Sequence, residues 1–575
     1  MEMVNITING RSAQVDKKMT LLEAIRSQGI KIPTLCYHPD LRPEGSCRLC
    51  VVEVKGARSL VASCVYPVSE GMEVWTNTKR VLEARRTVVE LLLANHPQDC
   101  LTCPRNMNCE LQRIANDLGV RKIRVEGEKK EYQLDTSNPS IVRDPNKCIK
   151  CGRCVRMCGE VQGVGVLGVA HRGFDTMIVP AFNLGLDKMA CTYCGQCAKV
   201  CPTGALMPKD DTQNVWRAIN NPELHVVVQT APAVRVALGE ALGLPAGAIV
   251  TGKMVAALRR IGFDKVFDTN FAADVTIMEE GTEFLNRLHT GGKLPLITSC
   301  SPGWINFSEL FYDDLLEHLS TTKSPQQIFG ALVKSFYAEK MELEPSQIYS
   351  VSVMPCTAKK AEAARDDINA GEVRDVDCVI TTAELAAMIK QAGIDFENLP
   401  EEEFDSPMGS STGAARIFGV TGGVMEAALR TVVAKITGKQ LEKLDFTEVR
   451  GMEGIKEASF AINDRTVKVA VASGLSNARK LMDKLRAGEC DYHFIEIMAC
   501  PGGCIGGGGQ PKEAKPALVR QARAEGLYTI DENAPIRSSH ENPDVQELYA
   551  SWLGEPNGVK AHHLLHTHYH KQDRI

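Results

Sequence analysis

The 575-residue sequence has no apolar stretch long enough to span a bilayer and no strong charge of either sign. Its first residues lack the basic start and apolar run of a secretory signal, so we expect a cytoplasmic protein without membrane insertion. The net charge of −5 gives no reason to expect nucleic acid or an anionic membrane as a partner. With 44% hydrophobic residues, the chain can build several domains with buried cores.

Cysteine, in contrast, is abundant. The chain has 21 cysteines, and ten of them fall in tight C-x-x-C spacings. A long chain without a secretory signal is poorly explained as a disulfide scaffold, and the close repeated spacing indicates metal. Because C-x-x-C pairs also build zinc ribbons, zinc is the alternative to iron–sulfur at each motif.

The first 80 residues predict a small cluster-binding domain. Residues 4–8 alternate in polarity and turn at Asn9-Gly10, which is typical of a β-hairpin, and residues 21–28 predict a helix. Four cysteines follow with the spacing C-x10-C-x2-C-x13-C: Cys36, Cys47, Cys50 and Cys64. This spacing is close to that of plant-type ferredoxins, though not the same, and we favour a [2Fe–2S] cluster over zinc.

Residues 81–125 predict a second site with a mixed ligand set. An amphipathic helix over 81–94 precedes the pattern H-x3-C-x2-C-x5-C, formed by His96, Cys100, Cys103 and Cys109. Three thiolates and one imidazole favour a [4Fe–4S] cluster, with a zinc ion held by the same four residues as the alternative. A neutral imidazole in place of a charged thiolate should raise the reduction potential. Both stretches, 1–80 and 81–125, resemble the large iron–sulfur subunit of respiratory complex I.

Residues 140–210 carry two C-x2-C-x2-C-x3-C runs. This is the pattern of two-cluster bacterial ferredoxins, in which the fourth cysteine of each run binds the other cluster. We therefore expect two [4Fe–4S] clusters and a crossed set of ligands. The predicted sets are Cys148, Cys151, Cys154 and Cys201 for one cluster, and Cys191, Cys194, Cys197 and Cys158 for the other.

Residues 211–510 predict an α/β domain with largely parallel sheets, because short apolar runs alternate with amphipathic helical stretches. The runs predicted as strands are residues 224–229, 275–278, 294–298, 348–353, 376–381, 467–472 and 492–498. Ligands of open α/β sheets bind beyond the carboxyl ends of strands. Three cysteine-bearing segments lie there: 298–304 (TSCSPGW), 354–360 (MPCTAKK) and 496–510, where Cys500 and Cys504 lie among six glycines.

These three segments resemble the signature motifs of the [FeFe]-hydrogenase catalytic domain, TSCCPxW, MPCxxK and ExxxCxxxC. The family's active site is the H-cluster, a [4Fe–4S] cube joined to a di-iron unit with CO, cyanide and an azadithiolate. The resemblance implies that Cys356, Cys500 and Cys504 hold the cube, that Cys504 bridges to the di-iron unit, and that Lys359 donates a hydrogen bond to a cyanide. It also implies a cofactor pocket lined by Ala231, Pro232, Gln326, Met354, Phe418 and Met498.

One position departs from the family motif, because Cys300-Ser301 replaces two adjacent cysteines. In the family the first cysteine is the terminal proton shuttle and the second is a cube ligand. Strict alignment makes Cys300 the shuttle and leaves Ser301 as a ligand, although an alkoxide is a poor iron ligand beside a thiolate. We favour the alternative, in which Cys300 binds the cube and Ser301 relays protons.

The resemblance also implies a proton route through Glu280, Glu283 and Ser320. Carboxylates and a hydroxyl can both take up and release a proton at hydrogen-bond range. Without the resemblance, the run Glu279-Glu280-Gly281-Thr282-Glu283 reads as the solvated acidic start of a helix after a strand.

The whole chain is thus expected to be an α+β multidomain iron hydrogenase that exchanges H2 with protons and electrons. Its predicted parts are a β-grasp ferredoxin-like domain (1–80), a domain for the cluster with one histidine and three cysteine ligands (81–125), a two-[4Fe–4S] ferredoxin domain (140–210), a two-lobed α/β catalytic domain (211–510) and a small-subunit-like segment (511–575). With one [2Fe–2S] and three accessory [4Fe–4S] clusters, it resembles the catalytic subunits of multimeric NAD(P)-linked hydrogenases, including electron-bifurcating ones.

Expected partners are ferredoxin, flavin-containing NAD(P)-binding subunits and the maturases that insert the di-iron unit. The alternatives are a stand-alone ferredoxin hydrogenase, a slow sensory protein and a non-enzymatic iron–sulfur assembly relative. The five histidines at positions 562–570 favour a frayed terminus over a metal site.

Overall fold

The computed structural model describes residues 2–438, 444–452, 454–462, 465–513 and 515–575. The N-terminal residues form a five-stranded mixed sheet with the order β2-β1-β5-β3-β4, in which β1 and β5 are parallel. Its elements are β1 (Met3–Ile8), β2 (Arg11–Asp16), α1 (Leu21–Ser27), β3 (Val51–Val54), β4 (Val61–Ala62) and β5 (Met72–Trp75). The predicted hairpin is present, and Asn9 and Gly10 turn with φ angles of 49° and 80°.

Two helices follow this sheet, α2 (Lys79–Ala94) and α3 (Glu110–Asp117). Helix α2 begins two residues before its predicted start, because the Thr78 side chain caps the backbone N–H of Val81. Helix α2 packs one face on β3 and on α3, as its amphipathic pattern predicts.

The next part of the chain is small and internally repeated. Its elements are β6 (Ile141–Arg143), α4 (Arg153–Arg156), β7 (Gly168–Ala170), β8 (Met177–Val179), α5 (Gln196–Val200) and β9 (Leu206–Pro208). Helices α4 and α5 each begin after a glycine, Gly152 or Gly195, that has a φ of 69° and follows the second cysteine of its run. Only glycine adopts this left-handed conformation without a steric cost, so each run turns sharply into its helix.

The largest part of the chain contains two four-stranded sheets. The first has the order β11-β10-β13-β14 and is parallel throughout. The second has the order β12-β17-β16-β15, with β15 antiparallel to β16 and the other pairs parallel. The strands are β10 (His225–Thr230), β11 (Lys265–Asp268), β12 (Leu296–Ile297), β13 (Ile348–Met354), β14 (Cys378–Thr381), β15 (Ile455–Ile462), β16 (Arg465–Ser473) and β17 (Phe494–Met498).

Helices surround both sheets. They are α6 (Thr212–Ile219), α7 (Leu238–Ala241), α8 (Thr251–Ile261), α9 (Thr269–Thr290), α10 (Pro302–Phe311), α11 (Pro325–Leu332), α12 (Ala338–Met341), α13 (Ala358–Ala363), α14 (Thr382–Gln391), α15 (Gly413–Arg416), α16 (Gly423–Thr437) and α17 (Leu475–Arg486). The strand predicted over 275–278 is wrong, because these residues lie in the middle of α9. Helix α9 is buried on most sides, and apolar residues on every face remove the helical period from its sequence.

The C-terminal residues form α18 (Pro516–Glu532), α19 (Pro543–Leu548) and α20 (Val559–Leu565). Buried Arg430 of α16 joins this segment to the larger part, with Nη2 2.8 Å from Asp531 and 2.7 Å from Glu426. The prediction of a frayed terminus is wrong: His566 is buried and pairs with Thr322, and the Ile575 N–H donates to the Lys188 carbonyl. Within the part of the chain that the structure describes, no helix combines the length and apolar character needed to cross a bilayer.

Candidate active site

A cavity lies where strands of both sheets end. Strands β10 and β13 run in parallel with Thr230 opposite Val353, so the segments after them leave the sheet at the same edge. The loops after β12 and β17 reach the cavity from the second sheet. The space not occupied by protein atoms at this site, including its opening to solvent, is about 820 Å³. This is the position at which parallel α/β sheets bind ligands.

Five cysteines line this cavity, and four of them belong to the three signature segments: Cys300, Cys356, Cys500 and Cys504. Burial raises the pKa of each thiol, to about 12 for Cys504. Such thiols keep their protons unless a metal replaces them, because a metal ligand must be deprotonated. The donor set and the size of the cavity therefore fit an iron–sulfur cofactor.

Glycines let the backbone close tightly around the site. A Cβ on Gly507 would lie 2.2 Å from the Pro355 carbonyl oxygen, and one on Gly503, whose φ is +90°, would lie 2.7 Å from the Thr421 nitrogen. A Cβ on Gly508 would lie 2.4 Å from the carbonyl oxygen of Cys194, in the second ferredoxin-type run. Cys194 also lines the cavity, so the loop after β17 lies between two predicted cluster sites.

A buried carboxylate supports the same loop from behind. Glu496 on β17 accepts hydrogen bonds from the N–H groups of Gly422 and Met425, both 2.7 Å long, at the start of α16. Burial nevertheless raises the pKa of Glu496 to about 7. Glu496 thus ties the strand that carries the two C-terminal cysteines to a helix N-terminus, where negative charge is favoured.

An ion pair borders the cavity on the side of α13. Lys359 Nζ lies 2.9 Å and 3.2 Å from the two carboxylate oxygens of Glu362. Glu362 also accepts from Gln326 Nε2 at 3.0 Å, whereas Gln326 Oε1 has no hydrogen-bond partner among the described residues. Lys359 and Gln326 both line the cavity, so an ammonium and an unpaired polar atom face the space for the cofactor.

The other predicted cofactor-binding residues also lie at this cavity: Ala231, Pro232, Met354, Phe418 and Met498. Sequence reasoning missed Thr269 and Ala273, which reach it from α9. The signal that could have found them is Asp268, whose side chain accepts from the Asn270 N–H and starts α9 directly after β11.

Cys300 and Ser301 both line the cavity, but their surroundings differ. After burial, the charge of Glu280 is the strongest influence that raises the Cys300 pKa, and Cys504 contributes less. Ser301 Oγ accepts a hydrogen bond from the Ala499 N–H, 3.4 Å away, next to Cys500. Cys300 therefore lies towards the predicted proton route and Ser301 towards the loop with the C-terminal cysteines.

The structure brings the three predicted route residues together. Glu280 is buried, and burial raises its pKa to about 8, although a hydrogen bond from Ser320 lowers it. Ser320 Oγ also lies 3.1 Å from Glu283 Oε2, so the hydroxyl stands between the two carboxyl groups. Arg287 Nη2 lies 2.6 Å from Glu283 Oε1 at the far end.

The predicted ligands of the ferredoxin-type clusters line two separate cavities. Cys148, Cys151, Cys154 and Cys201 surround about 470 Å³. Cys158, Cys191, Cys194 and Cys197 surround about 460 Å³. Each cavity thus combines three cysteines of one run with the fourth cysteine of the other, as the crossed assignment requires.

At the two N-terminal sites, the structure brings the predicted ligands together to different degrees. Cys36 Sγ lies 3.4 Å from the Cys47 N–H nitrogen, and Cys50 Sγ lies 3.4 Å from Cys64 Sγ. At the second site, burial raises the pKa of Cys109, and the charge of Cys103 raises it further. Cys100 is exposed, and His96 is half-buried with a pKa lowered by burial.

Comparison with known proteins agrees with this arrangement along the chain. The family model described as iron only hydrogenase large subunit, C-terminal domain, matches residues 224–508. NADP-reducing hydrogenase subunit HndD of Solidesulfovibrio fructosivorans is 52% identical over 590 residues, which cover 100% of each chain. The chain belongs to the iron-only hydrogenase family.

Two further similar proteins match different shares of the hydrogenase, one almost its full length and the other its catalytic part. Iron hydrogenase 1 of Clostridium pasteurianum is 41% identical over 99% of the hydrogenase and 100% of that protein. The solved [FeFe]-hydrogenase HydA1 of Chlamydomonas reinhardtii is 46% identical, with a TM-score of 0.58, over 63% of the hydrogenase and 99% of that chain.

Four further family models match other parts of the hydrogenase. They are described as 2Fe-2S iron-sulfur cluster binding domain (1–79), NADH-ubiquinone oxidoreductase-G iron-sulfur binding region (85–124), NADH-quinone oxidoreductase subunit 3, ferredoxin-like domain (138–207) and iron hydrogenase small subunit (517–572). The predictions of an iron hydrogenase, an H-cluster and accessory iron–sulfur domains are thereby confirmed.

Proposed function

We propose that this hydrogenase is the H2-reacting subunit of a multimeric NAD(P)-linked enzyme. Its cavity of buried cysteines, bordered by Lys359, carries the assignment of the H2 chemistry. Similarity to the NADP-reducing subunit HndD over the full length supports the assignment of the partner. When bound, the H-cluster supplies the iron and the dithiolate amine that split H2 heterolytically.

The chain's own residues hold and orient that cofactor. Cys356, Cys500 and Cys504 would hold the iron–sulfur cube, and Cys504 would also hold the di-iron unit. Lys359 donates a hydrogen bond to a cyanide, and its pairing with Glu362 fixes the ammonium at the cavity wall. The lack of polar side chains over most of the wall excludes water from the site.

Infrared spectroscopy of the matured protein, with an H2-uptake assay, tests this assignment. We expect CO and cyanide stretching bands together with H2 uptake. A protein that retains its accessory clusters but shows neither band after maturation would contradict it.

At the departure from the motif, we propose that Cys300 exchanges protons and that Ser301 occupies the fourth corner of the cube. The charge of Glu280 on Cys300 and the bond from Ala499 to Ser301 support this choice. The opposite preference drawn from the sequence stays a prediction. Cys300→Ala decides between them: an intact cube signal with lost turnover supports the shuttle, and loss of the cube signal supports ligation.

The accessory clusters would carry electrons between the active site and the electron partner. We propose two [4Fe–4S] clusters in the ferredoxin-type cavities, a [4Fe–4S] cluster held by His96 and its three neighbouring cysteines, and a [2Fe–2S] cluster in a β-grasp domain at the N-terminus. The contact of Gly508 with Cys194 supports the first step, from the cube to the nearer ferredoxin-type cluster.

Ferredoxin and a flavin-containing NAD(P)-binding subunit are the proposed electron partners, maturases supply the di-iron unit, and the cytoplasm is the proposed location. Isolation of the native protein under mild conditions tests the first of these proposals. A flavoprotein subunit that co-purifies at constant stoichiometry is expected, and a monomer that reduces only ferredoxin would contradict it.

A further inference from the structure

At the outer end of the proton route, Arg287 occupies one side of the Glu283 carboxylate. Arg287 Nη2 binds Glu283 Oε1 at 2.6 Å and the Leu319 carbonyl at 2.9 Å, and Nη1 donates to the Lys293 carbonyl at 3.1 Å. A guanidinium has no acceptor and keeps its protons, so it cannot pass one on. Arg287 therefore gives Glu283 no partner for proton exchange on this side.

Another neighbour lies at the second oxygen of the same carboxylate. Thr321 Oγ1 lies 3.2 Å from Glu283 Oε2 and 2.8 Å from His566 Nδ1. The other ring nitrogen of His566 lies 3.0 Å from Glu279 Oε2. Residues 321 and 566 lie far apart in sequence, and only the return of the C-terminal segment to the catalytic part brings them together.

The surroundings of His566 are rich in titratable groups. Glu279 is fully buried and also accepts from the Tyr549 hydroxyl. The ring of His562, which is exposed, stacks on the His566 ring with the centroids 4.7 Å apart. Burial and the neighbouring imidazoles of His566 and His568 lower the pKa of the His562 ring. The buried imidazole of His566 thus lies between the buried carboxyl group of Glu279 and the hydroxyl of Thr321, and it stacks on the exposed imidazole of His562.

We propose that Thr321 and His566 form the solvent-side branch of the proton route, with His562 at its surface end. This inference rests on the proposed function, because it extends the route of Glu280, Ser320 and Glu283. An imidazole has two nitrogens that can take up and release a proton, and a hydroxyl both donates and accepts, so the two groups suit this role.

The proposed step moves protons only, and no group is oxidised or reduced. For proton uptake, His566 first accepts a proton at Nε2 through the Glu279 carboxyl group and then, as an imidazolium, releases the hydrogen on Nδ1 to Thr321 Oγ1, whose own hydroxyl hydrogen passes to Glu283 Oε2. Loss of the Nδ1 hydrogen leaves His566 protonated on Nε2, and a tautomer exchange or rotation of the ring restores the starting state. Proton release follows the same atoms in reverse.

Thr321→Val tests the branch, with Thr321→Ser as its matched control. Valine keeps the shape of the side chain and removes the hydroxyl, whereas serine keeps the hydroxyl. We expect Thr321→Val to lower H2 evolution from a reduced dye by at least about 10-fold and to raise the solvent deuterium isotope effect, since a lost acid–base group costs about 10²–10⁴-fold. Thr321→Ser should stay near the wild type.

His566→Gln tests the second member, with His563→Gln, at an exposed position of α20, as the control. His566→Gln should slow turnover as Thr321→Val does, whereas His563→Gln should not. Iron content and thermal unfolding, measured for every variant, separate slow proton exchange from loss of the fold. Wild-type turnover and an unchanged isotope effect in both Thr321→Val and His566→Gln would overturn the proposal.

A second measurement needs no H2 chemistry. In protein prepared without the di-iron unit, infrared spectroscopy in D2O follows hydrogen–deuterium exchange of the buried Glu280 carboxyl group, and Glu280→Gln identifies its band. Exchange should be slower in Thr321→Val and His566→Gln and unchanged in Thr321→Ser and His563→Gln. Equal exchange rates in all four variants would overturn the branch, whereas failure of the proposed function would appear as missing CO and cyanide bands in the matured wild type.

Discussion

Gly508→Ala should separate the active-site loop from the neighbouring ferredoxin-type cluster. The added Cβ would lie 2.4 Å from the Cys194 carbonyl oxygen and 2.9 Å from the Gly195 Cα. Both are backbone atoms, so no side-chain rotation relieves the contact. Since ordinary contacts between heavy atoms are about 3.5 Å, the two segments must move apart by about 1 Å.

Overpacking of this kind costs about 1–3 kcal/mol, and here the cost falls on one interface. Cys194 lines both the active-site cavity and the cavity of the second ferredoxin-type site. The displacement should therefore weaken the magnetic interaction between the reduced cube and the nearer cluster, and it should slow electron transfer through the accessory clusters. Electron paramagnetic resonance of the reduced protein without the di-iron unit measures the interaction directly.

Gly168→Ala is the matched control. Gly168 also carries no side chain, but a Cβ there would meet nothing within 4 Å. The control should keep the wild-type spectrum and the wild-type rate with a dye that accepts electrons from the distal clusters. A Gly508→Ala spectrum identical to that of Gly168→Ala would refute the argument that this glycine sets the distance between the two sites.

Three further outcomes follow from buried charges. Glu280→Gln should lower H2 turnover at least about 10²-fold with an unchanged cube signal, because an amide cannot relay a proton; normal turnover would exclude Glu280 from the route. Arg430→Met should destabilise the protein by about 3 kcal/mol, because Glu426 and Asp531 lose a buried cation; chemical denaturation measures the loss, and wild-type stability would contradict it. The pKa of Glu496 is about 7 in the folded protein and about 4.3 in the unfolded chain. Protonated Glu496 therefore stabilises the fold at acidic pH. As the pH rises through 7, up to about 3 kcal/mol of the free energy of unfolding is lost. Glu496→Gln should remove this part of the pH dependence in denaturation curves at pH 5 and 8, and an equally steep dependence in the variant would contradict the assignment.

Motifs with strict spacing were predictable because ligand geometry constrains them locally. The crossed cysteine sets around Cys158 and Cys201 and the loops after β10, β13 and β17 could all be placed from the sequence. Their exact spacing reflects a chemical requirement that few other residues satisfy. Because these motifs are so strict, Ser301 stands out in the sequence as a departure from the family motif.

Features of the fold that have no signal in nearby residues could not be predicted from the sequence. The sequence predicts a strand over 275–278 because a helix buried on most sides shows no clear amphipathic period. It predicts a frayed end at the C-terminal histidines because Thr321, the partner of His566, lies 245 positions earlier. Burial of His566 depends on that long-range contact, and no pattern of nearby residues encodes it.

The contact between the active-site loop and the ferredoxin-type part also orders events during synthesis. Gln196 Nε2 donates to the Gly506 carbonyl at 2.9 Å, although the two residues are 310 positions apart. At about 5–20 residues per second, the ribosome completes the first partner roughly 15–60 s before the second. The accessory domains can therefore fold and receive iron while the wall that covers Gln196 has not yet been made. Cofactor assembly in this hydrogenase would then proceed from the N-terminus towards the active site, against the direction in which electrons leave H2.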